Sequence, residues 1–72
     1  MITPVIPEGS ICGGMAYNKE SSEKFTQKHF AFMYSQIANY LIQKNAKHLV
    51  FLEPCWNEEK ELFQLIGYGQ PQ

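Results

Sequence analysis

Arginine is missing altogether from this 72-residue chain. Arginine is the usual bidentate reader of guanine and phosphate, so its absence argues against recognition of DNA. Lysine does not make up the loss. Lys19, Lys24 and Lys28 are interleaved with Glu20 and Glu23, and 6 basic against 7 acidic residues leave a net charge of −1. A nucleic-acid interface needs a basic face to neutralise phosphates, and no such face is expected here. Long apolar runs are missing too. The longest, residues 30–34, falls far short of the ~20 residues that span a bilayer. Met1-Ile2-Thr3-Pro4 carries no basic stretch ahead of an apolar one, so no secretory signal is expected. Cysteine is scarce: Cys12 and Cys55 are isolated, and free thiols in a reducing compartment are expected in place of a disulfide framework. These absences describe a cytoplasmic protein with no nucleic-acid and no membrane partner.

What is present is core-forming material, 44% hydrophobic and 14% aromatic. The length allows one domain, residues 1–72, with residues 1–10 as an extended arm because Pro4 and Pro7 fix φ and remove donors. A chain this short buries only about 60% of its unfolded surface. Small scaffolds usually add disulfides, a metal or a partner chain to compensate. A well-filled but small core therefore predicts apolar surface left over for a partner.

Residues 11–17 read as a short strand in which Gly13 and Gly14 mark a bulge or a close backbone approach. Ser21 or Ser22 is expected to cap a long helix over 23–44, with Glu23 in its first turn. Phe30, Met33, Tyr34, Ile37, Ala38 and Leu41 give that helix an amphipathic stripe, and Asn45 is placed to end it in the left-handed region. Leu49-Val50-Phe51-Leu52 reads as a buried strand stopped by Pro54. Asn57 is expected to cap a second, short helix with Leu62, Phe63, Leu65 and Ile66 on its apolar face and Gly67 as its C-terminal cap. The fold class expected is α/β (α+β): strand, long helix, strand, short helix, on a thin two- to three-stranded sheet. A strand–helix–strand unit further implies a right-handed parallel pair, with exposed edges that invite pairing with another chain.

Two runs carry a family resemblance. One extends from Lys44 through Leu49-Val50-Phe51-Leu52 and Asn57 to Leu62-Phe63-Gln64-Leu65-Ile66-Gly67-Tyr68. The other is Cys12-Gly13-Gly14-Met15-Ala16-Tyr17. Together they resemble the C-terminal half of a GNAT acetyltransferase-superfamily domain, over about 50 residues. The resemblance implies acyl-CoA binding or acyltransferase-like activity. The family holds the cofactor pyrophosphate on a glycine turn at a helix N-terminus, where amides and dipole face the anion. Here the corresponding positions fall near Phe25, Lys28 and Phe30, which do not supply that turn. The resemblance is therefore to a truncated relative without the cofactor site, and no cofactor is expected.

No catalytic set is expected. Cys55 and His48 lie seven residues apart, roughly 23 Å along an extended chain, which excludes a nucleophile–base pair within that strand. Cys12, His29, His48 and Cys55 show no close ligand spacing of the C-x-x-C or H-x-x-x-H kind, so no metal site is expected. The Gly13-Gly14 pair lacks the following lysine or helix start of a phosphate loop. Adjacent Glu58 and Glu59 point different ways on a helix and suit a charged first turn.

Three aromatic residues stand out as partner-binding candidates. Phe25 and Phe32, at i and i+7, would share the polar side of the long helix. Either the N-terminal arm, through Val5 and Ile6, covers them or a partner does. Trp56 lies between the last strand and the short helix, as an anchor or as packing over the helix start. The function expected is a small non-enzymatic interaction or regulatory module, active as a homo-oligomer or with another protein. The alternative is the truncated acyl-CoA-binding domain that the resemblance implies.

Overall fold

The computed structural model describes residues 6–71. The first half of the expected arm, residues 1–5 with Val5 included, lies outside them. Residues Pro7 to Ser10 form a tight turn closed by the Ser10 N–H on the Pro7 carbonyl at 3.2 Å, and this turn feeds the first strand.

The elements are β1 (Ile11–Asn18), α1 (Lys19–Ser22), α2 (Gln27–Gln43), β2 (Ala46–Phe51), β3 (Cys55–Asn57) and β4 (Leu62–Pro71). The class is α+β, as expected, with helix on one layer and sheet on the other. Among the described residues the sheet has four strands, one more than the upper expectation, and all pairings are antiparallel.

The largest correction is the second helix, which does not form. Residues 57–66 are instead the end of β3, a tight turn and the start of β4. The local signals were real but ambiguous. Asn57 does accept a backbone N–H three residues on, Lys60 to Asn57 Oδ1 at 3.0 Å, which is the bond a helix cap would make. The same bond also closes an Asx turn. Here Glu61 enters the left-handed region at φ 54°, and the chain turns back as a hairpin with Asn57 opposite Leu62.

β4 becomes the centre of the sheet. β1 lies along one side of it, and β2 and β3 lie end to end along the other, separated by Leu52-Glu53-Pro54. β1 and β2 therefore point the same way, but β4 stands between them. The expected adjacent parallel pair is replaced by a split strand–helix–strand unit.

Helix α2 begins four residues later than expected. Asn18 caps the one-turn α1, its Oδ1 accepting the Ser21 N–H at 2.7 Å, so Ser21 and Ser22 lie inside that turn and cap nothing. Thr26 then starts α2. Its backbone N–H donates to His29 Nδ1 at 3.0 Å, so His29 reaches back as the third helical residue of a capping box does. Asn45 takes the left-handed conformation expected of it, at φ 65°.

The core is the stripe of α2 on one face of the sheet. Met33, Ile37 and Leu41 are buried against Tyr17, Leu65 and Ala46. Gly67 brings helix and sheet together. A Cβ there would lie 3.0 Å from Ile37 Cγ2 and 2.8 Å from the Phe51 ring. An aromatic cluster closes one end of the sheet. Tyr17 stacks on Phe63 at 5.3 Å and meets Phe25 at 4.9 Å and Phe30 at 6.0 Å. Burial pushes the Tyr17 hydroxyl above its ordinary pKa, with a smaller contribution from Tyr34. The Tyr34 hydroxyl, raised by burial and then by Glu53, donates to the Leu52 carbonyl at 3.1 Å and ties α2 to the β2–β3 junction.

Candidate functional site

The two edges of the sheet are not alike. On the β2–β3 side the edge is broken. A bulge lies between Lys47 and Val50, with His48 left-handed at φ 54°, and Glu53-Pro54 separates β2 from β3. Bulges, charge and proline are the devices by which proteins keep an edge from pairing. The β1 edge has none of them. Its eight residues, Ile11 to Asn18, include no charged residue and no proline, and among the described residues β1 pairs with β4 alone. Every second backbone N–H and C=O of β1 thus faces outward without a strand partner among the described residues.

Hollows flank this edge on both faces. Alternation along β1 sends Ile11, Gly13, Met15 and Tyr17 toward α2 and Cys12, Gly14 and Ala16 to the other face. On the α2 side a groove of about 360 Å³ is lined by Gly13, Gly14, Met15, Gln36, Ile37 and Tyr40. On the far side a shallower hollow of about 190 Å³ lies among Gly14, Ala16, Gln64 and Ile66. Gly13 is covered by the Tyr40 ring, whose Cδ2 would lie 2.8 Å from a Cβ there.

The helical wall of the groove is uncharged. Phe32, Gln36 and Tyr40 recur at i, i+4 and i+8 and so share one stripe of α2. Phe32 is 62% exposed, Tyr40 47% and Met15 38%. Lys44 Nζ lies 5.7 Å from the centre of the Tyr40 ring and supports it from the next turn.

The three expected partner residues are not brought together. Phe25 precedes α2 and turns inward onto Tyr17 and Phe30, with His29 stacked on its outer side at 5.3 Å. It shares no helix face with Phe32, because the helix starts at Gln27. Trp56 lies half-buried in β3, edge-on to Phe63 at 4.8 Å, within the aromatic cluster. Phe32 alone of the three stands out from the surface, one turn along from the groove. The edge residues Gly13, Gly14 and Met15 and the wall residue Tyr40 join the site only through the fold. The signal available was the uncharged, proline-free run of Ile11 to Asn18 itself.

Cys12 and Cys55 are free thiols on different strands. Among the described residues no three His, Cys, Asp or Glu side chains gather as metal ligands. No helix among them is long and apolar enough to cross a membrane. No family model, curated protein or solved structure matches the chain.

Proposed function

We propose that the protein is a small non-enzymatic interaction module that takes a strand of another polypeptide onto the β1 edge. One observation carries this reading: an eight-residue edge without charge, proline or bulge, with a hollow on each face. Strand addition draws affinity from main-chain hydrogen bonds and specificity from pockets for alternate side chains. The groove beside Tyr40 and the hollow over Gly14 supply such pockets in alternation. Phe32 extends the helical wall for a longer partner.

Selection of a random peptide library on the immobilised chain tests the reading. The counter-selection uses Met15→Lys/Ala16→Lys, which places two charges on the edge at exposed positions. Enriched extended peptides that lose binding to the double variant are expected. A library that yields no edge-dependent binder, with a chain that stays monomeric at millimolar concentration, would refute it. Calorimetry with acetyl-CoA is the companion measurement. Saturable heat at millimolar ligand would favour the acyl-CoA reading that the family resemblance implies.

A further inference from the structure

We infer that the β1 edge takes a second copy of this chain, the two β1 strands pairing antiparallel about a two-fold axis at Gly14. The inference rests on the strand-addition reading above and names its occupant.

Geometry restricts the choices. Residues directly opposite each other in an antiparallel pair point to the same face of the sheet. A symmetric β1–β1 pair must therefore be centred on a residue, and both copies of α2 lie on the same side. Centring on Gly14 sets Gly13 opposite the partner's Met15, Cys12 opposite the partner's Ala16, and Ile11 opposite the partner's Tyr17. The exposed Met15 side chain of each copy then comes against the Tyr40 ring that covers Gly13 of the other. A thioether against an aromatic ring is a favourable filling. Centring on Met15 instead would put two methionines head to head. It would also leave Gly13 facing Tyr17, whose ring is only 8% exposed and fixed in the core.

Charge and spacing agree with this register. β1 and the Phe32–Gln36–Tyr40 stripe carry no charge, so bringing two copies together opposes no like charges. Helix α2 crosses the sheet over the central β4, so the two helices would stand about three strand spacings apart, about 14 Å. That exceeds the 8–10 Å of directly packed helices. The space between them is the volume that two Met15 and two Tyr40 side chains would fill. A standard interface takes about 800 Å² from each partner. Set against a total accessible surface of 5430 Å², that is a moderate share for an edge running nearly the length of the sheet.

Disulfide trapping reads the register directly. In a Cys55→Ser background, Ala16→Cys places a thiol opposite the partner's Cys12. Within one chain positions 12 and 16 are about 13 Å apart along the strand, beyond the reach of a disulfide, so any bond must join two chains. Treatment with diamide oxidises each thiol pair to a disulfide as the diamide is reduced to the hydrazine. The expected result is conversion of Ala16→Cys to a covalent dimer, while Asn18→Cys and the Cys55→Ser parent remain largely uncrosslinked. Light scattering on the parent is expected to show the mass doubling with concentration. Preferential trapping by Asn18→Cys would overturn the Gly14-centred register. A parent that stays monomeric at millimolar concentration would overturn the second copy as occupant, and the peptide selection would then decide whether strand addition itself survives.

Discussion

Replacing Gly14 by alanine should cost stability out of proportion to one methyl group. The Cβ of an alanine at position 14 would stand 2.5 Å from the Leu65 carbonyl oxygen, almost an ångström inside ordinary contact, which begins at 3.4 Å. That oxygen belongs to the backbone of the central strand. Leu65 itself is fully buried, so it has no room to retreat. Relief requires opening the β1–β4 ladder where Gly14 and Met15 pair with Ile66 and Leu65. Overpacking of this kind costs about 1–3 kcal/mol. Alanine returns about 0.4–1 kcal/mol by restricting the unfolded chain. The net loss is thus about 1–2 kcal/mol, out of a total of about 4–10 kcal/mol for a domain of this length. For such a domain that lowers the Tm by roughly 5–15 °C. Differential scanning calorimetry at low concentration, below any self-association, is the assay. Gly13→Ala is the internal comparison. There the nearest atom is Cδ2 of the Tyr40 ring at 2.8 Å, and that ring is half exposed and able to swing. Its cost should stay under about 1 kcal/mol. A Gly14→Ala protein as stable as the parent, or Gly13→Ala the worse of the two, would refute the reasoning.

The remaining predictions probe different parts of the molecule. By displacing Tyr40 into the groove, Gly13→Ala should abolish the concentration-dependent mass increase in light scattering while circular dichroism stays unchanged. Leu41→Ala, at a site with no solvent exposure, should lose about 2–5 kcal/mol in urea unfolding, a large part of the total. Glu61→Gly should gain a few tenths to about 1 kcal/mol, because the left-handed φ of 54° is costly for any residue with a Cβ. Stability should also fall in alkali. Tyr17 and Tyr34 both have folded pKa values above the ordinary value, so the unfolded chain releases their protons first. Their contribution is complete below about pH 10 and is lost as pH rises through the folded values. A Tyr17→Phe/Tyr34→Phe variant should show a flatter decline in urea midpoint above pH 10 than the parent.

Much of this fold was decided within short windows of sequence. The apolar stripe of α2 was legible because its spacing fits a helix and no other element, and Met33, Ile37 and Leu41 became its buried centre. Asn45 tolerates the left-handed region, and it ended the helix where expected. The β1 run, free of charge and proline, marked a strand. Tertiary structure decided the last third. Leu62, Phe63, Leu65 and Ile66 satisfy both a helical face and a strand, and Asn57 makes the same hydrogen bond in a cap or in a turn. What settled the matter was non-local: β1 on one side and β2 with β3 on the other offer β4 backbone partners along both edges. No window of ten residues contains that information. The candidate site follows the same division. Its residue types were present in β1 and α2, but the groove exists only because β4 took the centre of the sheet. That left β1 at the edge and laid α2 across it, with Tyr40 beside two residues that have no side chains.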